Sequence, residues 1–279
     1  MSKNTNTFLW IMIGLVLILL IVFVVSVQQN RVKLSHTEQA RSGREYDAAA
    51  TDRSDTLHAS SVSRSSLAYP PEYASSITGG QLVEHTGFAL MYIEEHEQAA
   101  WVAYELTRDE LEGSVGRSDK FVRDEKVRTG SAENDDYRNS GFDRGHLAPA
   151  ADMKWSNASM DASFYFSNMS PQRPGFNRGI WKEAEEQLRE WAKQRGALYV
   201  VTGPVLRYGL PSIGNNQVSI PEYYYKIAVD TALRWSAALL IPHRSTKLPP
   251  DSFRVSIDSI ENFTGIDFYY QLPIKELED

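Results

Sequence analysis

The chain has 279 residues, 42% hydrophobic and 23% charged, with no cysteine and a formal net charge of −7. That length allows one large domain or two small ones. The missing cysteines exclude disulfides, zinc–thiolate sites and cysteine nucleophiles, and the acidic balance excludes a broad basic face that adheres to nucleic acid by charge alone. From Arg117 to His146 seven basic side chains stand against seven acidic ones. A polyanionic substrate therefore has to be gripped by a few placed arginines, helped by a divalent cation.

Residues 1–7 form a short flank. Residues 8–27, FLWIMIGLVLILLIVFVVSV, carry no charge. An uncharged apolar run of about 18 or more residues can span a bilayer as a helix. A signal-peptide core is shorter, roughly 7–15 residues, and ends in a small-residue cleavage site; SVQQNRVK is a poor one. The expectation is an uncleaved transmembrane anchor, set against a cleaved signal or a buried core helix. Residues 28–74 are rich in Ser, Ala, Thr, Arg and Asp and show neither helical nor strand period. They cannot bury enough apolar surface to offset ordering, so they read as a flexible tether that stiffens at YPPEY.

The folded part is expected over residues 75–279. GFALMYIEE and AAWVAYELT, joined by the polar HEQ, predict a hairpin. The segment SGFDRGHLAPAADMKWS suits neither a core strand, which would carry Val or Ile where His146 stands, nor a plain solvated loop, which has no need of charge, glycine and imidazole packed together; it reads as a site. SFYFSNMSP predicts a strand ended by Pro171. GIWKEAEEQLREWAKQRG predicts a helix: Ile180, Trp181, Ala184, Leu188, Trp191 and Ala192 make one apolar stripe, and Gly196 is its stop. GALYVVTGPVL, YYYKIAVD and RWSAALLIPH predict strands, and VSIDSIENFTGI a short helix stopped by Gly265. Strands and helices do not alternate regularly, so the class is α+β with a mixed or antiparallel sheet.

His146 sits in D-R-G-H (143–146), followed by S-N-M-S-P-Q (167–172) and N-R-G-I-W (177–181). An imidazole of ordinary pKa near 6.5 can serve as a general base near neutrality. Taken alone, it is as well explained as a structural histidine. The amide oxygen of Asn177 is a hard, neutral donor acceptable to Mg²⁺, or else a helix cap. Glu185 lies eight residues later, about 12 Å along a helix, too far to share a metal's inner shell with Asn177. Glu183 and Glu186 compete with it. The Arg117 guanidinium suits phosphate oxygens or a plain surface role.

These motifs, with WVAYEL at 101–106 and GRSDKF at 116–121, resemble the DNA/RNA non-specific endonucleases, the endonuclease G-like group of ββα-metal (His-Me finger) nucleases. The resemblance spans roughly residues 78–270 and leaves out the anchor and tether. It implies a ββα-metal core and metal-dependent hydrolysis of phosphodiester bonds in DNA and RNA, leaving 5′-phosphate and 3′-hydroxyl ends. It implies Mg²⁺, with Mn²⁺ able to substitute, held directly by Asn177 and through a water by Glu185. It assigns His146 as general base and Arg117 as the phosphate grip, with Arg144 assisting and Asn168 orienting the backbone. Several relatives are dimers, so a homodimer is in scope; no inhibitor protein can be read from the sequence. A non-catalytic binding relative and a phosphodiesterase for a smaller substrate are the alternatives.

The anchor's orientation is contested. Arg31, Lys33, Arg41 and Arg44 follow the span and only Lys3 precedes it. Positive charge favours the cytoplasmic side, yet a non-specific nuclease facing the genome would be toxic. The expectation is an extracytoplasmic catalytic domain. Three N-x-S/T sequons, at Asn157, Asn168 and Asn262, are weak signals, and a glycan on Asn168 would obstruct the site.

Overall fold

The computed structural model describes residues 79–269. The predicted anchor at 8–27 and tether at 28–74 lie outside the described residues. Among the described residues no helix is long and apolar enough to cross a membrane.

A seven-stranded sheet organises the chain. Its first strands are β1 (Gly80–His85), β2 (Phe88–Ile93) and β3 (Gln98–Thr107). Next come β6 (Ala197–Pro204), β9 (Tyr223–Asp230), β10 (Ser236–Pro242) and β11 (Arg254–Val255). They lie in the order β1-β2-β3-β6-β9-β10-β11, every neighbour antiparallel. Side chains alternate between the faces, and both faces are buried. Phe88, Leu90 and Tyr92 of β2 join one core; Ala89 and Met91 join the other. In β9, Tyr224 and Ala228 share the first face, and Tyr225, Ile227 and Val229 the second. Lys226 has the parity of Tyr224 and Ala228, which aims a lysine into the first core.

The second face is covered by the helix Ile257–Thr264, whose Ile257 and Ile260 are buried. Ser256 caps its start by accepting from Ser259 N, and Gly265, at φ +71°, ends it as predicted. A left-handed residue at that place suits glycine. The first face is covered by the helix Lys182–Arg195, which lays Ala184, Leu188, Trp191 and Ala192 on the sheet and stops at Gly196, φ +92°. Its predicted start needs correction. Residues Asn177–Trp181 form a π turn instead of plain α-helix, because Gly179 leaves helical geometry (φ −109°, ψ −113°).

The strand predictions for β2, β3, β6, β9 and β10 hold. The D-R-G-H stretch, where no core strand was expected, is a strand: β4 (Asp143–His146) pairs antiparallel with β5 (Met169–Gln172). The strand predicted from Ser163 begins only at Met169, since Phe166–Asn168 is a 3-10 turn, and it runs through Pro171. β1 had no prediction. Two further short strands, β7 (Ser212–Ile213) and β8 (Val218–Ser219), make a small ribbon. The order β4, β5, helix Lys182–Arg195 is a strand–strand–helix unit laid on the first face of the sheet. Its strands carry D-R-G-H and M-S-P-Q, while the turns that lead into β5 and into the helix carry Ser167, Asn168 and N-R-G-I-W.

Candidate active site

On β4, Arg144 and His146 are two residues apart and share a face. Both reach Phe121: the Arg144 guanidinium lies 5.1 Å from its ring centre and the His146 ring 5.8 Å. Phe164 closes the other side of the imidazole at 4.9 Å, edge to face. The Arg117 guanidinium lies 4.9 Å from the same Phe164 ring. Three predicted residues, Arg117, Arg144 and His146, are thus gathered around two phenylalanines. Arg117 is also paired with Asp119 at 2.5 Å, both side chains being exposed.

His146 Nε2 is buried, and among the described residues it has no hydrogen-bond partner. Burial, and then the charge of Arg117, pull the His146 pKa down to about 3, with Asp119 opposing weakly. The imidazole is therefore neutral at neutral pH, with a lone pair or proton at Nε2 uncommitted. Arg144 Nε is likewise buried without a partner among the described residues.

Asn177 does not cap the start of the helix Lys182–Arg195. It has helical backbone angles (φ −56°, ψ −48°), and its amide Nδ2 donates to Asp143 Oδ2 at 3.0 Å. An ionised carboxylate only accepts, so the amide nitrogen must face Asp143 and Oδ1 must face away. Arg178 clamps the same carboxylate through Nε at 2.8 Å and Nη2 at 2.7 Å. Asp143 thus turns the Asn177 carbonyl oxygen away from itself.

Glu185 is half-buried, whereas its competitors Glu183 and Glu186 are exposed and Glu186 pairs with Lys182 at 3.6 Å. Only Glu185 turns towards the interior. It faces a charged network that the sequence reading missed. Asp152 accepts from Tyr104 Oη at 2.9 Å and from Arg189 Nη1 at 2.9 Å. Lys226, 1% exposed, reaches Thr202 Oγ1 at 3.3 Å and lies 3.9 Å from the centre of the Trp181 ring. Burial raises the Glu185 pKa, opposed by the Lys226 charge, and burial lowers that of Lys226, opposed by Glu185. The sequence signal for Lys226 was a lone lysine within the apolar run YYYKIAVD. Trp181 connects this network to the base, since its Nε1 donates to the His146 carbonyl at 3.2 Å.

Asn168 lies behind the site. Its Oδ1 accepts from Ala148 N at 2.9 Å, and its Nδ2 donates to Ala148 O at 2.9 Å and Ser163 O at 2.8 Å. It pins the chain two residues after His146, and at 0% exposure it cannot accept a glycan in the folded state. Gln172, also 0% exposed, lies against Gly145. A Cβ at Gly145 would stand 2.2 Å from the Gln172 side chain. The glycine of D-R-G-H is there because β5 leaves no room for a side chain.

Comparison with known proteins agrees with this geometry. The family described as DNA/RNA non-specific endonuclease matches residues 71–273. Mitochondrial endonuclease G of Bos taurus is 34% identical over 207 residues, 67% of this chain and 69% of that protein. Nuclease C1 of Cunninghamella echinulata var. echinulata is 32% identical over 228 residues, 72% of this chain and 88% of that protein. The crystal structure of an EndoG/EndoGI complex, reported for the mechanism of EndoG inhibition, superposes with a TM-score of 0.68 at 30% identity, covering 74% of this chain and 92% of that one. The chain belongs to the DNA/RNA non-specific endonuclease family and is an endonuclease that hydrolyses phosphodiester bonds.

Proposed function

We infer that the chain cleaves both DNA and RNA internally, that Mg²⁺ is its metal with Mn²⁺ able to substitute, and that His146 is its general base. The observation that carries this reading is the neutral, unpartnered Nε2 of His146 beside Arg117. The imidazole takes a proton from the attacking water as the water oxygen bonds to phosphorus. The bond to the 3′ oxygen breaks, and that oxygen takes a proton from solvent water, leaving a 5′-phosphate and a 3′-hydroxyl. Arg117, whose present partner Asp119 is equally exposed, grips the charge that develops on the non-bridging oxygens, and Arg144 assists.

The donor set fits a hard cation. Asn177 Oδ1 is turned away from Asp143, and among the described residues no group of three or more His, Asp or Glu side chains could cage a metal. Mg²⁺ keeps most of its waters and takes few protein oxygens, so Asn177 would hold it directly and Glu185 through a water. When bound, the ion supplies charge stabilisation to the leaving oxygen.

Residues 8–27 are proposed as a membrane anchor, residues 28–74 as a tether and 75–279 as the catalytic domain, facing away from the cytoplasm. The uncharged apolar run supports the anchor, and the toxicity of an unrestrained nuclease supports the orientation. Digestion of intact cells with an external protease tests the latter: a catalytic domain that stays shielded overturns it. The function itself is tested by plasmid and RNA digestion with the full chain, with and without EDTA. Cleavage of both substrates that EDTA abolishes is expected; loss of either substrate, or EDTA-resistant cleavage, contradicts the reading.

A further inference from the structure

A groove of about 410 Å³ opens where β9 begins and β10 ends, between Arg173 and Arg244, over Pro221, Tyr223, Pro242 and His243. Its position is fixed by His243. The backbone N–H of Arg173 donates to His243 Nε2 at 2.6 Å, so the other ring nitrogen, Nδ1, carries the proton and donates to Pro221 O at 2.8 Å. Both ring nitrogens are used, which makes His243 a structural pin with no catalytic part.

The pin ties the groove to the active site. The Arg173 carbonyl accepts from Asn177 N at 2.9 Å, so Arg173 stands one helical turn before the proposed metal ligand. Its guanidinium lies 5.5 Å from the centre of the Phe142 ring, and Phe142 precedes Asp143. Arg244 is exposed on a tight turn closed by its N–H to Pro242 O at 2.7 Å. Among the described residues neither guanidinium has a hydrogen-bond or ion-pair partner. The one carboxylate in the groove, Glu222, is engaged by Arg207.

Two unpaired guanidinium groups over an apolar floor, in a chain of net charge −7, call for an anion that also carries an apolar part. Guanidinium forks suit phosphate, and a proline–tyrosine floor suits the sugar and base of a nucleotide. We propose that this groove is a second phosphate subsite, in which Arg173 and Arg244 hold a non-scissile phosphate of the polynucleotide strand beside the catalytic centre. The subsite rests on the nuclease reading, and it explains how an acidic chain grips a polyanion without a basic face.

The test uses the full chain, the Arg173→Ala/Arg244→Ala variant and the Arg173→Lys/Arg244→Lys variant on a single strand of about 20 nucleotides. In the alanine variant KM rises about tenfold at unchanged kcat, and the slope of log KM against log salt falls by about 1. The lysine variant keeps the parent's salt slope, because charge is retained. Arg244→Glu, a single change on an exposed turn, raises KM further and serves if the double variant does not fold. Unchanged KM and slope in every variant, with an active parent, overturn the subsite alone. So does a fall in kcat at constant KM, which would assign the arginines to the chemical step. A parent that cleaves nothing overturns the nuclease reading and the subsite with it.

Discussion

The side-chain amide of Asn177 donates to Asp143 Oδ2 over 3.0 Å, and this single bond decides which way the amide points. Asp143→Asn removes the obligatory acceptor and lets the amide turn over. The expected outcome is a rise in the Mg²⁺ concentration giving half-maximal activity, by about tenfold for a lost supporting interaction, with the rate at saturating Mg²⁺ largely restored. Mn²⁺ binding followed by electron paramagnetic resonance checks this without turnover. An unchanged Mn²⁺ affinity would show that Asp143 does not orient the ligand.

The pH dependence follows from the direction of the His146 shift. Burial first, then Arg117, lower its pKa to about 3 from an ordinary 6.5. A histidine with a lowered pKa stays neutral, and so competent as a base, as pH falls below 6.5. The acid limb of kcat/KM, which reports the free enzyme, should therefore lie well below pH 6.5. Arg117→Ala removes one depressing charge, so its acid limb moves up, alongside a fall in kcat. A parent limb at 6.5, unmoved in the variant, would contradict both the burial and the neighbour.

Gly145 offers a purely steric prediction. A methyl group there would overlap the Gln172 side chain at 2.2 Å, and Gln172 is fully buried. Gly145→Ala should destabilise the fold by about 1–3 kcal/mol, as overpacking does. Adding Gln172→Ala should recover part of that loss, because neighbouring changes are not additive. Urea unfolding of the two single variants and the double measures the coupling; simple additivity would mean that the two residues do not share the space.

Much of this was legible beforehand, and the misses share a cause. The edges of β9 and the stop at Gly196 were visible because apolar period and glycine act locally. The strand at D-R-G-H could not be read because it has no alternation of its own and is held by pairing with Gln172 and Met169 of β5, more than twenty residues away. Asn177 was readable as ligand or cap. The bond to Asp143, which also holds Arg178, is made only when the strand–strand–helix unit assembles, so it could not be read in the sequence. Lys226 could have been flagged from YYYKIAVD, but its contact with the Trp181 face depends on the sheet's packing against a helix that the sequence does not place. Glu185 was separable from Glu183 and Glu186 only once the buried side of the helix was known.

Acid should also weaken the fold. Burial lowers the His243 pKa to about 4, so its unfolded form binds a proton at a higher pH than its folded form does. The sign is that of a depressed group: its stability contribution is full above pH 6.5 and is lost as pH falls towards 4. The slope approaches about 1.4 kcal/mol per pH unit, and His146 adds to it in the same direction. His243→Gln keeps a side chain that can accept and donate but does not titrate here. Its unfolding free energy should therefore depend less steeply on pH between those limits. An equal slope in parent and variant would show that His243 is not buried neutral.

The division of labour between His146 and Asn177 is tested most directly by single-turnover cleavage as a function of Mg²⁺. In the parent the rate saturates. In His146→Ala it should saturate at the same Mg²⁺ concentration, about 10²–10⁴-fold lower, with no rescue by added metal. In Asn177→Ala the curve should shift to higher Mg²⁺ and climb back towards the parent rate. Equal shifts along the Mg²⁺ axis in the two variants would make His146 a ligand, and a near-parent plateau in His146→Ala would remove the general base from the account.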